Sequence, residues 1–184
     1  MSETDPHNRK MGPGDMQAGA RMTGPGGAPM PQHRQSVNDL IVRQHHTAVS
    51  CADWDKVKSF FVDLLGFKVL GEMENRNEPE LATVTGLPGA ACRWAMLELS
   101  GYHIELFKWL TPEGQPVPIR QCDHGLTHIC FQVKDATEAR RRMIAAGYQP
   151  LSEVQSLRGG RAKPFYCRGP EGLIVEFVEY PLGA

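Results

Sequence analysis

The chain contains an internal repeat, and a histidine begins each of its two copies. His46 precedes Asp53 by seven residues in the first copy, and His128 precedes Asp135 by seven residues in the second. Each copy continues with a helix-like run and closes on an apolar segment that contains one glutamate. Because a repeat of this kind requires two similar structural units, it limits the folds open to the chain more strongly than composition does.

Each copy has the pattern of a strand, a helix and three further strands. Apolar residues at helical spacing follow Asp53 and Asp135, and aspartate is a preferred N-cap residue. Residues 74–89 are polar and contain Pro and Gly, so we predict a loop there, whereas residues 151–154 predict a short strand. The order of elements indicates an α+β fold made of two βαβββ modules.

The repeat occupies only part of the 184 residues. Residues 1–38 contain scattered Gly, Pro and Met without strand or helix periodicity, which is typical of a flexible extension; an arm that packs on a partner subunit is the alternative. We therefore divide the chain into that extension, a first module at residues 39–110, a linker at residues 111–124 and a second module at residues 125–184.

Composition and charge exclude several classes of partner. The formal net charge is -1, so the chain has no basic surplus with which to neutralise nucleic-acid phosphates. No apolar run approaches the roughly 20 residues that a membrane span needs. The five cysteines are odd in number and form no C-x-x-C pair, which favours reduced thiols in a cytoplasmic protein over a disulfide framework or a zinc ribbon.

Two histidines and two glutamates of the repeat form a candidate ligand set. Side chains alternate across a strand, so His46 and His128 lie on the strand face that carries small or polar residues. Glu105 and Glu176 each stand alone in an apolar strand, where an unpaired buried carboxylate costs several kcal/mol. We predict that these four side chains bind one divalent ion, and mixed nitrogen and oxygen ligands suit Zn, Ni, Co, Mn or Fe. The alternatives are structural histidines, glutamates that face solvent, and His45 in place of His46.

Four segments of the chain carry a family resemblance. They are residues 46–49 (HTAV), 65–67 (LGF), 125–130 (GLTHIC) and 172–177 (GLIVEF). Over residues 42–181 the chain resembles the vicinal oxygen chelate superfamily, which includes glyoxalase I, methylmalonyl-CoA epimerase, extradiol dioxygenases and bleomycin-resistance proteins. The resemblance implies two paired modules whose mixed sheets curl around a shared metal cavity, and it places metal ligands at the four positions that the repeat selects.

The resemblance also implies a class of chemistry. All four ligand positions are filled, as in the glyoxalase and epimerase branch, and residues 125–130 are closer to the epimerases. We predict a metal-dependent epimerase or isomerase, in which Glu176 or Glu105 transfers a proton next to a metal-bound carbonyl through an enediolate. The predicted substrate is a small 2-oxo, ketose-like, cyclitol-like or acyl-CoA compound. The alternatives are a glyoxalase I-type lactoylglutathione lyase, an extradiol-type dioxygenase and a non-catalytic protein that sequesters ligands.

Further residues are predicted to bind the substrate. His103 shares a strand face with Glu105 and is also a substitute metal ligand, and Cys130 shares a face with His128. The predicted substrate-binding set is His103, Phe107, Trp109, Cys130 and Arg161. Because some members of the superfamily complete their cavity with modules from two chains, a homodimer is the expected assembly, with a small molecule as the other partner.

Overall fold

The computed structural model describes residues 37–181. The predicted extension at residues 1–38 lies outside the described residues, apart from its last two positions. Contacts divide the chain after Gln44, and the described part of the first unit contains a 3-10 turn at Asn38–Leu40. All strands and α-helices of the described chain belong to the second unit, which begins at His45.

The second unit holds eight strands and three α-helices within residues 45–181. The strands are β1 (Thr47–Ser50), β2 (Lys68–Arg76), β3 (Ala91–Leu99), β4 (Tyr102–Thr111), β5 (Ile129–Gln132), β6 (Gln149–Pro150), β7 (Lys163–Arg168) and β8 (Ile174–Glu179). The helices are α1 (Trp54–Ser59), which continues as a π-helical segment at Phe60–Leu64, α2 (Pro79–Thr85) and α3 (Ala136–Ala145). Across the described residues, no helix has the length and apolar character that a membrane crossing requires.

The strands form two four-stranded mixed sheets with the same topology. Their orders are β1-β4-β3-β2 and β5-β8-β7-β6, and the first strand of each sheet is parallel to its neighbour while the other pairings are antiparallel. The predicted α+β fold of two βαβββ modules is confirmed. Among the described residues no strand of one sheet is hydrogen-bonded to a strand of the other, so the sheets are not closed into one.

Helices α1 and α3 begin and end with the same local signals. Asp53 and Asp135 each accept a hydrogen bond from the backbone N–H three residues later, at 3.1 and 2.9 Å. Gly66 and Gly147 follow the helical segments with φ of 84° and 86°, in the left-handed region that suits glycine after a helix. The predicted N-caps are therefore confirmed.

The loop predicted at residues 74–89 is wrong at its centre, which is helix α2. Pro79 suits the first turn of a helix, and Gly86 ends it with a φ of 67°. Leu81 is buried against Ala90 and its neighbours, so packing stabilises a helix whose polar, Pro- and Gly-containing sequence predicts none.

The strand predicted at residues 151–154 is also wrong, since pairing with β7 is limited to the two residues of β6. Arg140 of α3 explains where the chain goes instead. Its Nε donates to the Ser152 carbonyl at 2.9 Å, and its guanidinium forms an ion pair with Glu153. These contacts hold the segment after β6 against α3, and within residues 37–181 only two of its backbone N–H groups, those of Leu151 and Gln155, donate to carbonyls of β7, at 2.8 and 3.1 Å.

The helix-bearing sides of both sheets share one hydrophobic core. Phe131 of β5 meets Phe67 at 5.8 Å and Tyr102 of β4 at 6.0 Å between ring centroids. Phe60 meets Tyr148 of the second module at 5.1 Å. Burying a side chain of this size contributes roughly 1.5–3 kcal/mol, so these rings hold the modules together. Strand alternation then places the histidines and glutamates of the repeat on the opposite faces, where side chains are exposed or half-buried.

A carboxylate of the second module caps the helix of the first, and we name this contact the inter-module clasp. Glu171, in the turn between β7 and β8, accepts hydrogen bonds from the backbone N–H of Ala52 at 2.8 Å and from that of Asp53. The φ of Glu171 is 54°, in the left-handed region of the backbone. This strained conformation costs roughly 1–2 kcal/mol for a residue other than glycine. Satisfying two amides at the start of α1 offsets that strain.

Candidate metal and substrate site

Each module brings one histidine and one glutamate of the repeat into contact. His46 Nε2 lies 2.9 Å from Glu105 Oε2, and His128 Nε2 lies 3.2 Å from Glu176 Oε2. The two glutamate side chains are 15% and 16% exposed. In both sheets the histidine stands two residues before the residue that pairs in register with the glutamate. The two copies therefore share their geometry as well as their sequence pattern.

The structure does not bring the two pairs together as one cluster. Within residues 37–181, no group of three or more His, Cys, Asp and Glu side chains is arranged to hold a metal ion. The predicted ligand set therefore stays a prediction, and one chain presents it as two separate halves. The donors themselves fit a divalent cation, because each half offers an imidazole nitrogen and a carboxylate oxygen in contact.

Glu105 has a second partner that sequence reasoning missed. The indole N–H of Trp94, on strand β3, donates to Glu105 Oε1 at 2.8 Å and leaves Oε2 to His46. The guanidinium carbon of Arg76 lies 5.8 Å from the centroid of the Trp94 ring, which adds a cation–π contact. Only the register of β3 against β4 reveals this arrangement, because Trp94 pairs with Phe107, two residues beyond Glu105.

Glu176 lies among a thiol, a phenol and an imidazole. Although Cys130 is exposed as a residue, its thiol is desolvated, and this burial together with the charge and hydrogen bonding of Glu176 raises its pKa to about 12. Burial, and then the charge and hydrogen bonding of Glu176, also raise the pKa of Tyr166. The Tyr166 ring meets His128 edge-on at 5.2 Å, and Thr127 Oγ1 is hydrogen-bonded to His128 Nδ1 at 3.1 Å. The thiol and the phenol therefore stay protonated near neutral pH and can donate to the carboxylate.

Two more histidines border the first pair. His45 Nδ1 lies 2.8 Å from His46 Nδ1, and the His45 ring stacks on His103 with centroids 5.7 Å apart. The Nδ1 atom of His103 is buried and has no hydrogen-bond partner in the part of the chain that the structure describes. The structure thus places His103 beside the His46–Glu105 pair, where its role in substrate binding stays a prediction.

Phe107 and Trp109 extend the same strand face beyond Glu105. Their rings stack with centroids 5.1 Å apart and an interplanar angle of 10°. Trp109 Nε1 donates to Ser50 Oγ at 3.2 Å, so the indole reaches from β4 to β1. Both predicted substrate-binding aromatics therefore lie on the face that carries the carboxylate.

Arg161 is the member of the predicted substrate-binding set that lies apart. It is exposed in the turn closed by the Leu157–Ala162 bridge, and its Nε donates to the Arg158 carbonyl at 3.3 Å. No contact within residues 37–181 joins it to either His–Glu pair. Its predicted role rested on the basic charge that an acyl-CoA substrate would need near the cavity, and the position of a loop relative to a site is not a local property of sequence.

A cavity of about 650 Å³ lies where the two modules meet, and we name it the seam cavity. It is lined by β1, the residues before β5, part of the linker at residues 113–119 and the turn before β8. Of the predicted site residues its lining includes Trp109 and His128, whereas the carboxylates of both pairs lie outside it. The seam cavity is therefore beside the His–Glu pairs rather than around them.

The fold of two βαβββ modules agrees with comparisons to known proteins. A model of the Glyoxalase/Bleomycin resistance protein/Dioxygenase superfamily matches residues 43–177, and the chain belongs to this superfamily. It is 30% identical over 143 residues to the uncharacterized protein YwkD of Bacillus subtilis, covering 76% of this chain and 98% of that protein. It is 26% identical over 156 residues to a 2-epi-5-epi-valiolone epimerase of Actinomyces sp, covering 78% of this chain and 82% of that protein. A glyoxalase family protein from Bacillus cereus shares the fold with a TM-score of 0.70 at 23% identity, covering 82% of this chain and 98% of that one.

Proposed function

We propose that the protein is a divalent-metal-dependent epimerase or isomerase that moves a proton next to a carbonyl group of a small substrate. The observation that carries the proposal is the equivalence of His46–Glu105 and His128–Glu176, which occupy the same register positions on two open sheet faces. Partial burial removes hydration from a carboxylate and is therefore unfavourable. Two half-buried glutamates at equivalent positions thus favour a role in binding and proton transfer over a role in stability.

The similarity to a 2-epi-5-epi-valiolone epimerase supports epimerisation over the other activities found in the superfamily. It also supports our choice of a cyclitol-like ketone as the first candidate substrate, ahead of other 2-oxo compounds and of acyl-CoA thioesters. Return of the proton to the carbon that lost it gives epimerisation, and return to the neighbouring carbon gives isomerisation.

In this proposal His46, Glu105, His128 and Glu176 hold the ion. When bound, the ion supplies Lewis-acid polarisation of the substrate carbonyl. Glu105 is held on one oxygen by Trp94 and on the other by His46, which suits a residue that stays in place. Glu176 carries the proton in this proposal. The Cys130 thiol and the Tyr166 phenol can donate hydrogen bonds to its carboxylate while that carboxylate is ionised, which is its state before and after it holds the proton.

A second copy of the chain completes the ligand set in this proposal. The two pairs lie on separate open sheets, and no group of three donors forms among the residues that the structure describes. A symmetric dimer sets the first module of one copy against the second module of its partner, and so joins one pair from each. We propose the cytoplasm as its location, since all five cysteines are free thiols.

Metal content and hydrogen exchange test the proposal. The purified protein is expected to contain a divalent metal by elemental analysis and to exchange the hydrogen next to the carbonyl of 2-inosose for deuterium, followed by NMR in D2O against a protein-free blank. Glu176→Gln should slow that exchange on the order of 10²–10⁴-fold, because it removes the proton carrier. Glu80→Gln is the matched control, since Glu80 is an exposed residue of α2 outside both pairs.

The outcomes separate the candidate activities. Exchange that survives Glu176→Gln undiminished would refute Glu176 as the proton carrier. Tight ligand binding with neither metal nor exchange would instead identify a sequestering protein. Consumption of O2 by the Fe(II)-loaded protein with a catechol would identify a dioxygenase.

A further inference from the structure

Residues that line the seam cavity neighbour both His–Glu pairs. Ala48, which lines it, pairs in register with Glu105. His128, which also lines it, contacts Glu176. The cavity therefore reaches the second pair through His128 and lies one strand away from Glu105.

Most of the lining is apolar, with a few hydroxyl groups. Val49, Trp109 and Leu173 provide apolar surface. The hydroxyl oxygens of Thr47 and Ser50 accept hydrogen bonds from Tyr102 and Trp109, which leaves their own O–H groups able to donate. A volume of about 650 Å³ with this mixture of surfaces is typical of a small-molecule site.

The fixed charge of the lining has one sign. Glu113 and Glu171 line the cavity, and lysine and arginine are absent from the lining that the described residues form. Glu171 is engaged by the inter-module clasp, whereas Glu113 is exposed and adds its charge to the cavity. A phosphate or a coenzyme A group would lose water on entry and meet carboxylates rather than guanidinium or ammonium groups. Hydroxyl groups of a substrate would instead meet carboxylate oxygens that accept hydrogen bonds.

We propose that the seam cavity binds an uncharged, hydroxylated substrate and excludes phosphorylated and coenzyme A-linked ones. This inference rests on the proposed function, whose substrate class it narrows. Carboxylate oxygens of Glu113 accept hydrogen bonds from substrate hydroxyls, and the apolar lining packs against the carbon skeleton. The carbonyl end of the substrate lies toward His128, which lines the cavity and contacts Glu176.

Ligand binding to the full chain tests this inference without turnover. The probes are 2-inosose, which is an uncharged polyhydroxylated cyclohexanone, glucose 6-phosphate and propionyl-CoA. Each is titrated into the Glu176→Gln variant by calorimetry and by NMR of the Trp109 indole N–H, which a Trp109→Phe variant assigns. We expect 2-inosose to shift that signal and to bind about ten-fold more tightly than either anionic probe. The indole signal of Trp54, buried in the core, should not move.

A charge reversal isolates the role of the carboxylate. Glu113→Lys is expected to raise the affinity for glucose 6-phosphate about five-fold, because it replaces a repulsive charge by an attractive one. Glu80→Lys makes the same change on α2, outside the cavity lining, and should leave that affinity unchanged.

Two results would overturn the inference. One is binding of glucose 6-phosphate or propionyl-CoA that equals or exceeds binding of 2-inosose. The other is a Trp109 signal that none of the three probes moves. Because the Glu176→Gln variant lacks the proposed proton carrier, binding to this variant is independent of catalysis. If the variant binds 2-inosose while the wild-type protein does not exchange its hydrogen, the proposed function is contradicted and the inference about the cavity is not.

Discussion

Replacing Trp94 by phenylalanine tests whether its indole holds Glu105 in the position that metal binding needs. In the wild-type protein the indole N–H donates to Glu105 Oε1 at 2.8 Å, and the glutamate side chain is only 15% exposed. Phenylalanine keeps a ring beside Arg76 but removes the donor. One oxygen of a half-buried carboxylate then loses its partner, which costs more than the loss of an exposed hydrogen bond.

The size of the effect follows from the charge and the exposure of Glu105. A hydrogen bond to a charged group contributes about 1.5–3 kcal/mol. Water replaces part of it at a side chain that is 15% exposed, so we expect the free energy of unfolding to fall by about 1–2 kcal/mol. For a chain of this length that lowers the Tm by about 2–8 °C. The affinity for a divalent metal should fall about 10–100-fold, because a residue that orients a ligand has been removed.

Trp54→Phe is the matched control for this variant. The Trp54 indole nitrogen is buried without a hydrogen-bond partner among the described residues, and its ring belongs to the core rather than to the site. Thermal unfolding measures stability, and competition with a chelating dye measures metal affinity. Equal metal affinities of Trp94→Phe and Trp54→Phe would refute the reasoning, and a lower Tm alone would leave Trp94 a structural residue only.

Thiol labelling and the pH dependence of stability give two further predictions. Iodoacetamide at about pH 8 should label the exposed Cys122 first, because burial raises the pKa of the buried thiols and leaves little thiolate. These buried thiols are Cys51, Cys92 and Cys167. Mass spectrometry of the folded protein gives the order, and early labelling of a buried thiol contradicts it. The hydrogen bond from Lys58 and the charges of Lys58 and Arg93 lower the pKa of Glu72 in the folded protein. Its stabilisation is therefore present above the unfolded pKa of about 4.3 and is lost as the pH falls through the folded pKa. In denaturant titrations Lys58→Met should be less stable than wild type at neutral pH and converge with it on acidification; a difference that does not change with pH is the contrary result.

Local sequence patterns were sufficient for the βαβββ order of each module and for the strand faces that carry the two histidines and two glutamates. Side-chain direction along a strand is a local property, so alternation alone placed His46 and Glu105 on faces without a helix. The Trp94 contact required the register between β3 and β4, which depends on the turn that joins them. Helix α2 depends on burial of Leu81 against β3, and that too is a tertiary contact. Whether the two pairs meet depends on how the modules are packed, which no single segment of the sequence encodes.

The inter-module clasp shows how far two duplicated halves have diverged. Ser100 and Glu171 each stand five residues before the glutamate of their module, and their φ angles are 53° and 54°. The two hairpins thus share a left-handed residue at the equivalent position, yet of the two residues Glu171 alone is hydrogen-bonded to the start of the helix of the other half within residues 37–181. Helix α3 is capped within its own half, by Asp135 and Glu179. Dependence between the halves therefore runs in one direction: α1 takes one of its caps from the second module, whereas α3 takes both of its caps from its own module.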